Sequence, residues 1–238
     1  MSQIVVIIPA RLGATRLPNK PLAEIAGIPM VIRAAQCAAE ANVGDVIIAC
    51  GEQEIVDVAD RYGFKAVLTD PALPSGTDRV FAAYKALHLK HPYILNLQGD
   101  LPLISPKTIQ AVAKLIAAGG CDISTAAAVI DEPSQIDNPS VVKIALTADH
   151  RALYFSRATI PQGAKEYLHH IGVYAYTTNT LARFVSLPPS QLELQERLEQ
   201  LRIMEDGAVI KVAMVEQAPI SVDTHEDLQR ARAAAVAA

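Results

Sequence analysis

Three basic residues and no acidic residue occur in the segment that follows the first apolar run of the chain. Arg11, Arg16 and Lys20 lie within residues 10–20, and two prolines restrict the backbone of this region. Guanidinium groups bind phosphate oxygens through paired hydrogen bonds, and a lysine adds a mobile positive charge. The segment therefore predicts a binding site for a polyanion, and a nucleoside triphosphate is the anion that we expect.

The same segment lacks the glycine patterns of two common phosphate-binding loops. Gly13 is its one glycine, so the sequence matches neither a Walker A loop nor the GxGxxG fingerprint. Side chains, more than backbone N–H groups, must then neutralise the phosphates. The missing fingerprint also argues against an oxidoreductase of the Rossmann type.

Two aspartates that each follow an apolar segment could bind a metal ion. Asp100 ends the motif NLQGD, after a glycine that permits a tight turn, and Asp223 ends ISVD. Phosphate chemistry requires hard oxygen ligands for a magnesium ion (Mg²⁺), and two carboxylates with water and phosphate oxygens would provide them. The alternatives are that Asp100 caps a loop and that Asp223 helps to start the final helix.

Other polar residues are weaker candidates. The motif SGTDR (75–79) precedes a helix and could bind a phosphate or a polar edge, although ordinary helix capping is the alternative. His170 and Tyr174 are four residues apart and share one face of a predicted strand, where a buried histidine packed against an aromatic ring is the alternative. Glu199 and Gln200 belong to a polar helix whose residues are mostly expected to be solvated.

The elements that must position these residues alternate between strands and helices through the first half of the chain. Such alternation predicts an α/β fold with a doubly wound, mixed but mainly parallel sheet. In such sheets ligands bind beyond the carboxyl ends of the strands, which is where the cationic segment begins. The predicted strands are 4–8, 46–50, 65–68, 93–97 and 122–129, and the predicted helices are 29–41, about 52–62, about 77–89 and 105–118.

The second half departs from this alternation. Strands are predicted at 141–146, 151–157, 170–176 and 208–215, helices at 178–186 and about 194–206, and a last helix opens with a possible capping box at 224–227. We interpret the chain as one domain, 1–238. It would comprise a nucleotide-binding half (about 1–130), a β-rich insertion for a second substrate or a partner subunit (about 138–190) and closing elements (about 191–238).

Composition excludes several classes of partner. The net charge of −4 argues against a general affinity for nucleic acid or for an acidic membrane surface. No apolar run approaches the roughly 20 residues that span a bilayer, so we expect a soluble, cytoplasmic protein. The cysteines have no metal-like spacing, and we expect Cys37, Cys50 and Cys121 to be buried, reduced thiols.

Several longer motifs resemble one enzyme family, the 3-deoxy-manno-octulosonate cytidylyltransferases. The resemblance runs from about residue 4 to 232, and the motifs occur in the family's order. They are IIPAR…TRLPNKPL, PSGTDR, NLQGD, NPSVVK, ALYFSRATIP, HIGVYAY, LELQERLEQLR and SVDTHEDL. It implies a GT-A-like nucleotidyltransferase fold, a homodimer and Mg²⁺ dependence. It also implies that CTP and the sugar acid 3-deoxy-manno-octulosonate (Kdo) react to CMP-Kdo and pyrophosphate, for lipopolysaccharide or capsule synthesis.

The resemblance also implies roles for individual residues at matching positions. The nucleotide-binding positions are Pro9, Ala10, Arg11, Arg16, Lys20, Ser75, Gly76, Arg79 and Gln98. The positions around the sugar acid are Gln98, Arg157, His170, Tyr174, Glu199 and Gln200. Asp100 and Asp223 match the metal ligands, and Arg16, Lys20 and Asp100 are the residues to which catalysis is assigned.

The chain departs from the family pattern at three places. Leu101 replaces an acidic residue beside the presumed sugar pocket, CGEQE (50–54) replaces a segment with an aspartate, and the stretch 161–170 is short. Two alternatives follow from these departures. The acceptor could be a modified acid such as 8-amino-Kdo, or the protein could be a catalytically silent nucleotide-binding regulator.

Overall fold

The computed structural model describes residues 3–13 and 17–237. Its residues form two compact units, of which unit 1 comprises 1–110 and 219–238 and unit 2 comprises 111–218. The boundary at 110/111 lies within a helix, α4 (Pro106–Ala117). The interpretation of the whole chain as one domain stays a prediction.

Unit 1 contains the strands β1 (Ile4–Ala10), β4 (Gly44–Cys50), β5 (Lys65–Leu68) and β6 (Tyr93–Leu97), and the helices between them are α1 (Met30–Ala41), α2 (Gln53–Arg61) and α3 (Gly76–Ala86). These strands form a parallel sheet in the order β6-β1-β4-β5. Every residue of β1 is buried, as expected for a central strand with neighbours on both sides. The predicted α/β alternation is thus confirmed, and two strands, 65–68 and 93–97, have the predicted bounds.

Short elements that periodicity did not predict connect β1 to α1. A 3₁₀ turn (Lys20–Leu22) precedes a two-stranded hairpin of β2 (Glu24–Ile25) and β3 (Ile28–Pro29). Ala26 and Gly27 form the hairpin turn with φ of 48° and 74°. These segments are too short to show a period of their own.

The last helix of unit 1, α8 (His225–Ala237), begins with the capping box that the sequence predicts. The Asp227 N–H donates to Thr224 Oγ1 at 3.2 Å, and the Thr224 N–H donates to Asp227 Oδ2 at 2.9 Å. Beneath this helix, Leu17, Ile25, Met30, Val222, Leu228 and Ala231 form one buried cluster. Within residues 3–13 and 17–237, no helix is long and apolar enough to cross a membrane.

Unit 2 is built on a mixed set of strands. Its elements are β7 (Ile123–Val129), β8 (Lys143–Leu146), β9 (Ala152–Ser156), β10 (Leu168–Thr177), β11 (Ile210–Met214), α5 (Thr178–Ser186), α6 (Gln191–Glu196) and α7 (Gln200–Glu205). β7 pairs with β11 in parallel and with β10 in antiparallel orientation, and β8 pairs in antiparallel orientation with both β10 and β9. The predicted β-rich series is confirmed, with strand ends shifted by up to two residues.

The prediction of a single helix at about 194–206 is wrong. A capping box between Ser190 and Glu193 starts α6 earlier, and Arg197 ends it in the left-handed conformation with φ of 55°. The next helix, α7, starts at Gln200. The apolar period runs across both helices, so it does not reveal the break.

A bulge in β10 places a buried histidine among aromatic rings. Ile171 pairs with Ala126 but Tyr174 pairs with Thr125, so two extra residues enter β10 and the alternation of its faces is kept. His170 Nε2 lies 3.1 Å from Thr125 Oγ1, and the His170 ring centroid lies 5.3 Å from that of Tyr174. Burial lowers the pKa of His170 to about 3 and that of His169 to about 4.

Lys143 places a fully buried ammonium group in unit 2. It donates to the backbone carbonyls of Asn138, Val141 and Arg157 at 2.9, 2.7 and 2.8 Å. Burial lowers the pKa of this lysine. The lysine thereby joins the loop before β8 to the end of β9.

The thiol prediction is correct in part. Cys37, Cys50 and Cys121 are free, but Cys50 is buried whereas Cys37 and Cys121 are partly exposed.

We predict that the histidine pair destabilises the fold in acid. Both pKa values lie below the unfolded value of 6.5, so the unfolded chain binds more protons between pH 6.5 and about 4. The free energy of unfolding then falls as pH falls, by at most about 1.4 kcal/mol per pH unit for each histidine. Urea unfolding of His170→Gln at several pH values should give a shallower dependence than the wild type. The exposed His225→Gln is the control, and a slope for His170→Gln equal to that of the wild type would contradict the assignment.

We predict that Lys143→Met lowers the free energy of unfolding by at least about 2 kcal/mol, because the carbonyls that it serves lose a donor. Chemical denaturation measures the change. Lys165→Met, at an exposed lysine of the same unit, should leave stability within about 0.5 kcal/mol of the wild type. Equal stabilities of the two variants would show that the buried ammonium has no such role.

Candidate functional site

Unit 1 contains a pocket of about 400 Å³ at the carboxyl ends of β1 and β6. This volume is within the range of small-molecule sites. The pocket is lined by Pro9, Ala10, Arg11, Gly13, Leu17, Lys20, Pro21, Met30, Leu73, Ser75, Gly76, Arg79, Gln98, Gly99, Asp100 and Asp223. It therefore combines the cationic segment, the NLQGD motif, the start of α3 and the ISVD motif.

Close backbone packing at the mouth of β1 explains two of the glycines. A Cβ on Gly99 would lie 3.2 Å from the carbonyl oxygen of Pro9, and one on Gly76 would lie 3.3 Å from Pro9 Cγ. Gly99 lies in the tight turn that we predicted, because the Leu101 N–H donates to the Gln98 carbonyl at 3.3 Å, but its φ is not positive, so its missing Cβ serves this close approach. The two glycines let three chain segments meet at one point.

The ammonium of Lys20 joins the two aspartates that are candidates for metal binding. Its Nζ lies 3.0 Å from Asp100 Oδ2 and 2.8 Å from Asp223 Oδ1. Burial lowers the pKa of Lys20, but the two carboxylates more than offset this effect, and the net shift of the pKa is upward. Two carboxylate oxygens from remote parts of the sequence thus converge on one cationic group.

Backbone contacts hold the loops that carry these carboxylates independently of Lys20. The Val222 N–H donates to the Asp100 carbonyl at 3.0 Å, which joins the two loops directly. The Asp223 N–H donates to Asp227 Oδ2 at 3.1 Å. Since Thr224 and Asp227 form the capping box of α8, Asp223 is not the N-cap of the last helix.

The donor set fits a magnesium ion. Asp100 and Asp223 offer hard carboxylate oxygens that already converge on a cation of single charge. Among the described residues there is no group of three or more His, Cys, Asp or Glu side chains that could hold a metal. The protein would therefore supply two carboxylates, and water and phosphate would supply the other ligands.

The start of α3 has the structure of an ordinary helix cap. Ser75 Oγ accepts from the Asp78 N–H at 3.2 Å and donates to Asp78 Oδ2 at 2.7 Å. Capping, which was the alternative interpretation of SGTDR, is present, and it also sets the first turn of α3 against the pocket.

Arg79 lies at the pocket but its guanidinium serves a loop. Its Nη1 donates to Thr69 Oγ1 at 2.6 Å and to the Asp70 carbonyl at 3.3 Å, and burial lowers its pKa. The residue is 2% exposed. Thr69 in turn donates to the Cys50 carbonyl at the end of β4. Sequence reasoning missed Thr69, although its place directly after β5 is a signal.

A buried polar residue inside β6 supports the pocket from below. Asn96, fully buried, donates to Thr77 Oγ1 at 3.4 Å and accepts from Gln98 Nε2 at 3.4 Å. These contacts orient the Gln98 amide at the pocket wall. The lone polar residue within YILNL is the signal that sequence reasoning did not use.

Two further cations belong to the cationic segment, Arg11 and Arg16. Arg11 is exposed at the pocket, and its charge is one of the causes, after burial, that lower the pKa of Arg79. Arg16 lies outside the described residues, so its predicted role stays a prediction. Leu101 is buried in unit 1 and is absent from the described lining of the pocket.

Residues predicted around the sugar acid lie in unit 2, apart from Gln98. Arg157 donates from its guanidinium to the carbonyls of Glu196 and Pro139 at 3.0 and 2.9 Å. The Glu196 carboxylate accepts from Ser156 Oγ at 2.7 Å and from the Arg157 N–H at 3.0 Å. Arg157 therefore holds backbone segments together. Glu196, which sequence reasoning missed, fixes it in place.

The other unit 2 candidates are buried, apart from Glu199, which is partly exposed. Gln200 is 7% exposed, and its Nε2 has no hydrogen-bond partner among residues 3–13 and 17–237. Glu199 is the residue before the first turn of α7. Burial raises the pKa of Tyr174, whose ring stacks on that of Tyr176 and lies tilted against that of His170. The expectation that the polar helix is mainly solvated is wrong for Gln200.

Comparisons with known proteins agree along nearly the whole chain. A family model described as Cytidylyltransferase matches residues 5–215. The 3-deoxy-manno-octulosonate cytidylyltransferases of Parvibaculum lavamentivorans and Rhodospirillum centenum are 49% and 48% identical to the chain. Each alignment covers 96% of this chain and 91% of the relative.

The solved structure of a CMP:2-keto-3-deoxy-manno-octonic acid synthetase complexed with CTP is 33% identical, covers 99% of both chains and has a TM-score of 0.93. This likeness confirms the predicted nucleotidyltransferase fold. The chain therefore belongs to the cytidylyltransferase family, and within it to the 3-deoxy-manno-octulosonate cytidylyltransferases.

Proposed function

We propose that this chain transfers the cytidylyl group of CTP to Kdo and releases CMP-Kdo and pyrophosphate. Relatives of the same family name and a similar structure complexed with CTP support the substrates. The observation that carries the proposal is the convergence of Asp100 and Asp223 in a pocket that also holds Arg11 and Lys20. A polyanion and its metal ion both find matching charges there.

The cationic side chains would bind the triphosphate. Arg11, exposed at the pocket, offers a planar fork for phosphate oxygens, and Lys20 offers a mobile charge. Arg16 would complete this set. Pro9, Ala10, Ser75, Gly76 and Gln98 line the same pocket and would bind the nucleoside. Arg79 would act on the nucleotide through the loop that it holds, because its guanidinium donates to Thr69 and Asp70.

Asp100 and Asp223 would hold Mg²⁺. When bound, the ion would polarise the α-phosphate and lower the pKa of the attacking hydroxyl. The loops that carry the carboxylates have backbone hydrogen bonds of their own, so the loops would keep their positions when the charge between them changes. The two carboxylates therefore support the proposed dependence on magnesium.

The reaction would be an in-line displacement at the α-phosphorus. The anomeric hydroxyl oxygen of Kdo forms the new P–O bond, the bond to the β-phosphate breaks, and the hydroxyl proton leaves to solvent. Arg16 and Lys20 would stabilise the departing pyrophosphate by charge. Positioning and charge stabilisation account for the rate, since phosphoryl transfer needs little covalent work by the protein.

The unit 2 candidates would bind the sugar acid, and the role of Gln98, which lies in unit 1, stays a prediction from the resemblance. The unpartnered amide of Gln200 is a donor that a hydroxyl or carboxylate of the acid could satisfy. His170 and Tyr174 would provide an apolar wall, and Arg157 would position backbone because its guanidinium already serves carbonyls. A homodimer in the cytoplasm and a use of the product in lipopolysaccharide or capsule stay predictions from the resemblance.

Pyrophosphate release from CTP with Kdo as acceptor tests the proposal. We expect rapid release with Mg²⁺ and none with a chelator. 8-Amino-Kdo, run beside Kdo, should be the poorer acceptor. If CTP binds but no pyrophosphate is released with either acid as acceptor, the enzymatic proposal is overturned and a regulator is favoured.

We predict that Asp100→Asn lowers kcat at least about a hundredfold, about 3 kcal/mol in the barrier, because a carboxylate charge at the metal is lost. Steady-state kinetics at saturating Mg²⁺ measures the effect. Asp60→Asn, at an exposed aspartate of α2 in the same unit, is the matched control and should keep wild-type turnover. Near-normal turnover of Asp100→Asn would refute its role as a metal ligand.

A further inference from the structure

The cation position between the two aspartates is taken by a side chain of the protein itself. Lys20 Nζ is within hydrogen-bond distance of both carboxylates, at 3.0 Å from Asp100 and 2.8 Å from Asp223. The side chain of Lys20 is 15% exposed, so this ammonium is largely withdrawn from water. It occupies the point at which the oxygens of both candidate ligands converge.

We propose that Lys20 is the resident counter-ion of the metal site, which a divalent cation must displace before it can bind. The inference rests on the proposed assignment of Asp100 and Asp223 as metal ligands. It adds that one lysine serves the carboxylates in the nucleotide-free protein and the triphosphate after the cation has entered.

The electrostatics of the pair require some cation in the free protein. Two carboxylates that converge on one point repel each other, and an opposite charge between them removes this cost. Because the backbone holds both loops through the Val222 and Asp223 N–H groups, the two carboxylates can separate only by rotation of their side chains. Lys20 therefore preserves the geometry of the site until the metal arrives.

The lysine is also the part of the site that can move. Its side chain has a flexible stem of four carbons. Its backbone is anchored, because the Lys20 N–H donates to the Leu17 carbonyl and the next residue, Pro21, is buried. Arg11 lines the same pocket, so a phosphate bound there gives the ammonium another partner of opposite charge. Free divalent cations should thus bind weakly, and the metal should enter with the nucleotide.

Titration of the nucleotide-free protein with Mn²⁺, with unbound Mn²⁺ measured by electron paramagnetic resonance, tests the proposal without turnover. We expect Lys20→Met to bind Mn²⁺ at least about tenfold more tightly than the wild type, because the competing charge is gone. Addition of Asp100→Asn to Lys20→Met should remove this gain. Lys20→Gln, which keeps hydrogen-bond donors without the charge, should behave like Lys20→Met.

Two controls separate competition for the site from a general change in charge. Arg11→Met removes a cation of the same pocket, and within the described part of the chain no ion pair joins Arg11 to Asp100 or Asp223. It should tighten Mn²⁺ binding less than about threefold. Lys107→Met, at an exposed lysine of the same unit, should not change it.

Equal Mn²⁺ affinities of Lys20→Met and wild type, or equal gains in Lys20→Met and Arg11→Met, would overturn the proposal. Thermal unfolding provides a second readout for a variant that is poorly stable. Lys20→Met should melt below the wild type in chelator, and Mn²⁺ should raise its melting temperature more than that of the wild type. A rise no larger than in the wild type counts against displacement. Pyrophosphate release by the wild type is measured separately, so failure of the enzymatic proposal would be distinguishable.

Discussion

The ion triad of Lys20, Asp100 and Asp223 is the constraint on which the candidate site depends. It joins residues that are 80 and 203 positions apart in the chain. Such pairing is worthwhile only where folding already brings the segments together, because two carboxylates and an ammonium lose hydration when they meet. The packing of Leu17, Met30 and Val222 in one buried cluster provides that convergence. The apolar core of unit 1 therefore determines where the charges lie.

Close backbone contacts and buried hydrogen bonds hold the frame around the triad, whereas the few long charged side chains of the site can move. Gly76 and Gly99 bring backbone against Pro9, and Asn96 connects β6 to α3 by buried hydrogen bonds. Against this frame Arg11 and Lys20 are long side chains that a bound anion can reorient. Preorganised dipoles and cations stabilise developing negative charge without reorganisation during the reaction, and the carboxylates would contribute by holding the metal ion. The proposed direct displacement, which forms no covalent intermediate with the protein, would depend on this division.

The periodic parts of the fold could be predicted from the sequence, and the roles of single polar residues could be predicted only in part. Apolar runs located the strands at 65–68 and 93–97, but the break at Arg197 depends on one backbone torsion that no period reveals. The capping box at Thr224 was visible because both partners are local. Thr69 and Glu196 were missed because their partners, Arg79 and Arg157, belong to other segments, 10 and 39 positions away in the sequence.

The use of cations in this chain cannot be inferred from their number or their motif. Arg79, Lys143 and Arg157 all belong to family-like motifs, yet each donates to carbonyl or hydroxyl oxygens of its own unit. Neutral carbonyls stabilise a buried cation less than a carboxylate pair does, which agrees with the lowered pKa of Lys143 and the raised pKa of Lys20. Lys20 differs because its partners are the acids that a metal would need. A cation whose acidic partners can bind a metal ion instead can change partners during a reaction, whereas a cation held by carbonyls stabilises the fold.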